Sequence, residues 1–330
     1  MAATRLPLTG HSLAEAVDFA RPGMPSQDTV YQVVSFTPPA GETSYKRIRT
    51  TEFDSYDPAS ERASVASLVG RTPPTSPDEF AAAVAEATGP VTDDYTGTSR
   101  KAAKLSIAEG TTESFTDLLQ LISSLPADEA MISHDPPISI TADSGRVAEE
   151  QRNVRLTGYL YAASRERDND FHLMVGRDPR ASPETYMTVE VSGLPSRSDK
   201  SHAALKTARD SFQAFFGKHL PQLTYDYYDP PIPLVITGSL FFDMDHATGP
   251  HPGPPSLKSH IPTIWEIHPV TAITLGTQRG SSERSGLPAE NTIREVVDFE
   301  SPQGEKFRIL RTNEVDSYEE AIGQEESNKR

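Results

Sequence analysis

The stretch SHAALKTARDSFQAFFGKHL (201–220) decides how the rest of the chain is read. Ala204, Leu205, Ala208, Phe212, Phe215, Phe216 and Leu220 recur at the three- and four-residue intervals of a helix that buries one face. Pro221, with no amide hydrogen to donate, is the expected stop. Before this helix, NVRLTGYLYAA (153–163), DFHLMVGR (170–177) and YMTVEV (186–191) carry the alternation and the β-branched and aromatic residues of strands. After it, IPLVITGSLFFD (232–243) and TIWEIHPVTAITL (263–275) predict two more. The connection between them, HATGPHPGPPSLKSH (246–260), is too rich in Gly and Pro for regular structure.

Three strands, one helix and two strands follow the order of the OB-fold, a five-stranded, partly open Greek-key barrel. The expectation is a mainly β protein with an OB-fold-like five-stranded barrel and one inserted helix at 146–278. An acidic N-terminal region with short helices (1–145) and a C-terminal region (279–330) flank it. A small β-sandwich with one helix is the alternative.

Composition narrows the function classes. The formal charge of −16 disfavours nonspecific binding to nucleic acid or an anionic membrane, because that binding comes from Lys and Arg displacing counterions. The charge is uneven: residues 151–276 hold 12 Lys and Arg against 13 Asp and Glu, so the acid lies in the flanks. With no cysteine, disulfides, thiolate zinc sites and Cys nucleophiles are excluded. The first residues lack the apolar run of a secretory leader, and no run of about 18 apolar residues is present, so a cytoplasmic protein without a membrane span is expected.

Four pieces of the middle zone carry a resemblance: DNDFHLMV (168–175), MTVEVSGLP (187–195), ITGSLFFDMDH (236–246) and WEIHPVTAI (265–273). Together they resemble a widespread, largely uncharacterised family of small bacterial OB-like domains. That family runs as an Asp-x-His strand, a Glu-bearing strand, a Gly-x-x-Phe-Phe-Asp strand with a following His, and a Glu-x-His-Pro strand. The resemblance implies the barrel and a shared use for the polar residues. It implies no particular reaction.

The flanks contain a recurrence. VVSFTPPAGETSYKRIRTTEFDSYD (33–57) parallels VVDFESPQGEKFRILRTNEVDSYE (296–319), with one extra residue in the first copy. Shared positions include Val33/Val296, Phe36/Phe299, Gly41/Gly304, Arg49/Arg311, Thr50/Thr312, Glu52/Glu314, Asp54/Asp316 and Tyr56/Tyr318. Each copy reads as two short strands around a Pro/Gly turn, ending in an acidic, Tyr-containing tail. A lone two-stranded hairpin is marginal, so each copy needs the barrel, the other copy or a partner protein to pack on. Between the first copy and the barrel, 77–88, 99–108 and 112–125 read as helices, the last with an apolar stripe at Phe115, Leu118, Leu119, Ile122 and Leu125. The stretches 71–77 and 140–151 read as linkers, and 319–330 as a solvated tail.

The candidate site is a set of polar residues in otherwise apolar strands. Asp170 and His172 share one strand face, as do Glu266 and His268, while Glu190, Asp243 and His246 lie on or beside neighbouring strands. Imidazole with carboxylate suits a divalent metal, and His172, Glu190, Glu266 and His268 are its candidate ligands. The same residues also fit a buried hydrogen-bonded network that pins strand register. Tyr159, Tyr161 and Trp265 could give a barrel an aromatic stacking face, yet no basic stripe accompanies them, so nucleic acid is an unlikely partner. Two functions follow from these residues. One is a non-catalytic binding or adaptor protein that meets another protein through 33–57 and 296–319. The other is a metal-dependent hydrolase of phosphodiesterase or nuclease type.

Overall fold

The computed structural model describes residues 17–39, 41, 43–54, 77–247 and 252–276, together with the two strands 293–300 and 306–312. Contacts group the chain into two compact units, Met1–Gly276 and Thr277–Arg330. Strands from both sides of the boundary expected at 145/146 share one sheet.

In chain order the strands of the first unit are β1 (Val30–Phe36), β2 (Tyr45–Thr50), β3 (Thr112–Phe115), β4 (Asn153–Arg165), β5 (Phe171–Gly176), β6 (Tyr186–Val191), β7 (Asp226–Phe242) and β8 (Trp265–Leu275). The helices are α1 (Pro77–Thr88), α2 (Lys101–Lys104), α3 (Leu118–Ser123), α4 (Asp128–Ile132) and α5 (His202–Phe216). The eight strands form one mixed sheet in the order β1-β2-β7-β8-β6-β5-β4-β3, and β7 also pairs with β4. That extra ladder closes β4, β5, β6, β8 and β7 into a ring of five strands, antiparallel except for β6 against β8.

Alternation along these strands separates two faces. Leu173 and Val175 of β5, Val189 and Val191 of β6, Leu234 and Ile236 of β7 and Ile267 of β8 join the main apolar core. Helix α5 packs there through Phe212 and Phe216, with the Phe212 ring 4.7 Å from that of Phe171. The helix ends at Gly217, whose φ of 54° side chains avoid, four residues before the expected Pro221 stop. Trp265 belongs to this core, fully buried, its indole Nε1 donating to the Pro126 carbonyl at 3.0 Å.

Several expected elements differ. Residues 112–125 are not one helix: Thr112–Phe115 is a strand parallel to β4, and Asp117 caps α3 by accepting from the Leu119 amide at 3.0 Å. Of 99–108, only Lys101–Lys104 is helical. The Tyr- and Pro-rich connection after α5 is already strand, with Asp226–Asp229 pairing to β2. Pro230 and Pro231 lie at the register shift of the β7–β4 ladder, between Tyr227 opposite Ala162 and Ile232 opposite Leu160, where a missing amide hydrogen is tolerated.

The first flanking copy is built into this sheet. β1 and β2 form a hairpin, and β2 adds to the edge of β7, where Arg49 reaches the buried Asp226 carboxylate at 3.1 Å. In the second unit, β9 (Ile293–Glu300) and β10 (Lys306–Thr312) pair with each other. The two hairpins share a register. Phe36 faces Tyr45 where Phe299 faces Phe307, and Gln32 faces Arg49 where Glu295 faces Arg311. Even the irregularity recurs, between Val30 and Gln32 and between Ile293 and Glu295. The continuations of the two copies beyond Asp54 and beyond Thr312, residues 71–76 of the expected linker and the 319–330 tail lie outside the described residues.

Candidate metal centre

Register alone assembles the centre. Antiparallel pairing of β5 with β6 puts His172 opposite Glu190, and parallel pairing of β6 with β8 aligns Thr188 with Glu266, hence Glu190 with His268 two residues on. These side chains alternate along their strands with members of the main apolar core, such as Leu173, Val189 and Ile267. They are buried because other chain segments cover them. Asp94 bridges to Leu194, the Thr96 amide donates to the Asp168 carbonyl at 3.0 Å, and α2 brings Lys104 over the cluster.

His268 is the hub. Its Nδ1 is 2.7 Å from Glu190 Oε2 and 3.6 Å from Glu266 Oε2, and its Nε2 is 3.4 Å from Asp170 Oδ2. Despite these short separations, neither ring nitrogen is aligned for a hydrogen bond, and neither Glu190 Oε2 nor Asp170 Oδ2 has a hydrogen-bond partner. Glu266 is fully buried and both of its carboxylate oxygens are without one. Asp170 is tied on its other oxygen, Oδ1, which accepts from the Gly193 amide at 2.6 Å.

Two further groups adjoin this one. Asp243 and His246, in the turn after β7, come together with Glu266, and Lys104 Nζ is 3.7 Å from Asp243 Oδ2. On the other side His172 meets Glu166 at 2.6 Å and Asp54 at 3.5 Å. A pocket of about 340 Å³ opens over the cluster, lined among others by Asp54, Lys104, Glu166, Asp168, Asp243 and His246. The seven polar residues expected from the sequence are distributed over three groups: His172 with Asp54 and Glu166, Asp170 with Glu190 and His268, and Asp243 with His246 and Glu266.

Electrostatics follow from the crowding. Burial, reinforced by neighbouring carboxylates, raises Asp170 and Glu266 well above the usual carboxylate range and Asp168 to about 7. Burial opposes the charge on Glu190 as well, but His268 and Lys104 outweigh it and hold Glu190 well below its ordinary value. Burial likewise opposes protonation of His172, yet Glu166, with Asp54 and Glu190, raises it to about 9. At His268 burial prevails over Glu190, and the pKa is lowered. A neutral imidazole with a free ring nitrogen is the form that ligates a cation.

Buried and half-buried arginines hold the frame. Arg209 on α5 donates to the Ser192 carbonyl at 3.1 Å, just beyond Glu190, and Arg146 donates to the His268 carbonyl at 2.6 Å. Arg100 makes a bidentate pair with Glu150 at 2.7 and 2.8 Å and donates to the Phe242 carbonyl, next to Asp243. Gly238 lets the bulged β7 approach β8, since a Cβ there would lie 2.6 Å from the Pro269 carbonyl oxygen.

The sequence reading did not reach Asp54, Lys104, Glu166 or Asp168. Glu166 and Asp168 sit in the acidic turn ERDND (166–170) that delivers Asp170, which is a usable signal; nothing local marks Lys104. Of the three residues expected to give an aromatic face, Tyr161 is buried against Tyr186, Tyr159 donates to Asp178, and Trp265 lies in the main core. Among the described residues, no helix is long and apolar enough to cross a membrane. No protein-family model, curated protein or solved structure matches the chain.

Proposed function

We propose that this chain is a metal-dependent hydrolase built on a barrel of the OB type, with Asp170, Glu190, Glu266 and His268 holding a divalent cation. The observation that carries this reading is Glu266: fully buried, beside other buried carboxylates, with no hydrogen-bond donor to either oxygen. A charge left this way in a low-dielectric setting is neutralised by a proton or by a cation. A proton on Glu266 still leaves an O–H with no acceptor, at about 1–3 kcal/mol for the unsatisfied group. A cation would instead be held by the Glu266 carboxylate together with one ring nitrogen of His268. The mixed imidazole and carboxylate donor set suits zinc, manganese or iron.

The chemistry such a cation supplies is a bound water acidified toward about pH 7. The chain's own groups do the rest. Asp168 lines the pocket with a pKa near 7, the range in which a carboxylate can both take and return a proton. Lys104, which Asp243 keeps charged against the cost of burial, lines the pocket together with Arg165 and Arg167, and these cations can attract an anionic substrate. A phosphodiester fits that demand better than a neutral ester. The test is hydrolysis of bis(p-nitrophenyl) phosphate by the Mn²⁺-loaded full chain. Turnover abolished by chelation and lost in Glu266→Gln supports the reading; turnover absent in the loaded protein, or unchanged by both treatments, overturns it.

The shared register of the β1–β2 and β9–β10 hairpins supports a second reading as an adaptor. In the first unit the β1–β2 hairpin is occupied in the sheet, so a docking role falls to the β9–β10 hairpin, for which an acceptor strand resembling β7 is the fitting partner.

A further inference from the structure

We infer that Asp243, His246 and Glu266 hold a second divalent cation beside the first, making a two-cation centre for phosphate esters; this rests on the metal reading above. Asp243, His246 and Glu266 each offer one ligand atom, and these atoms lie within 4.8 Å of one another. They form a group separate from Asp170, Glu190 and His268, whose ligand atoms satisfy the same spacing. The two groups touch where Glu266 Oε2 is 3.6 Å from His268 Nδ1. Glu266 has two unsatisfied oxygens, one more than a single cation needs from it, and its position between the groups suits a bridging carboxylate.

Access distinguishes the two positions. Asp170, Glu190 and His268 do not line the pocket, whereas Asp243 and His246 do. The outer cation would face the pocket directly, with the inner one adjoining it. A paired centre of this kind clamps both the attacking and the leaving oxygen of a phosphoryl group in an in-line displacement, the water oxygen forming its bond to phosphorus as the bond to the ester oxygen breaks.

The test is Mn²⁺ binding to the chelated full chain, counted by electron paramagnetic resonance of free Mn²⁺ with elemental analysis after desalting. The parent is expected to bind about two equivalents, and His246→Ala about one, with unchanged circular dichroism. Asp243→Asn gives the same drop and guards against a fold defect peculiar to the His246 change. One equivalent in the parent that His246→Ala and Asp243→Asn leave intact overturns the second site while sparing the first. No binding in the parent overturns both.

Discussion

Glu190 Oε2 and His268 Nδ1 stand 2.7 Å apart on neighbouring parallel strands, both buried, and yet not aligned for a hydrogen bond. Two polar atoms held this close without sharing a proton are placed as two ligands of one cation are placed. If so, His268→Ala removes a ligand and an inward-facing nitrogen together. The expected outcome is loss of the tightly held metal, with affinity for Mn²⁺ lower by at least about 10-fold, since even changes to outer-shell partners cost about 10- to 100-fold. Metal titration of the folded variant checks it.

Arg100 and Glu150 tie the segment before α2 to the end of β7. Both are buried, and removing one partner leaves the other charge uncompensated. Arg100→Ala should destabilise the protein by about 3–5 kcal/mol, read from urea unfolding. A cost under about 1 kcal/mol, typical of an exposed pair, would show that the covering segment is not held in this way.

The aromatic residues predict opposite outcomes. Trp265→Ala opens a cavity in the main core and should cost about 3–5 kcal/mol. Tyr159→Phe removes only a hydroxyl that donates to Asp178 at 3.1 Å and should cost no more than about 1 kcal/mol. Thermal melts of the two variants separate a packed core from a surface stacking face.

His219 gives a pH dependence. Burial, aided by nearby Arg47, lowers its pKa to about 4 from an ordinary value of 6.5. Above pH 6.5 the folded and unfolded chains both carry it neutral, and it has no effect. Between 6.5 and 4 the unfolded chain takes a proton that the folded chain refuses, so stability falls as pH falls through that window. His219→Gln should therefore lose less of its urea midpoint than the parent between pH 7 and 5. Parallel losses in the two proteins would contradict the assignment.

The β1–β2 hairpin is held by Arg49 on Asp226 and by Glu52, which accepts from the Tyr227 hydroxyl at 2.8 Å. Arg49→Ala should leave the ring intact and loosen the hairpin. Hydrogen exchange then speeds at the amides of 45–50, while those of 171–176 keep their protection.

Legibility in the sequence followed distance along the chain. The helix at 202–216 and the five ring strands were readable because each carries its own period, and the pairs Asp170/His172 and Glu266/His268 because two residues on one strand share a face. The extension of β7 through DYYDPP (226–231) was hidden by its prolines, which lie where one edge of the strand passes from β2 to β8 while the other stays with β4. Lys104 and Asp54 were illegible for a different reason. They reach the cluster only after long-range docking of α2 and of the segment following β2, and no local pattern encodes that cover.

The most direct test of the metal centre is an anomalous-difference map from crystals of the chelated protein reloaded with Mn²⁺. A peak in coordinating contact with Glu190 Oε2, Glu266 and His268 Nδ1 is the predicted result. A map without a peak there, with Glu190 and His268 realigned into an ordinary hydrogen bond, would contradict the metal centre and leave the cluster a structural network.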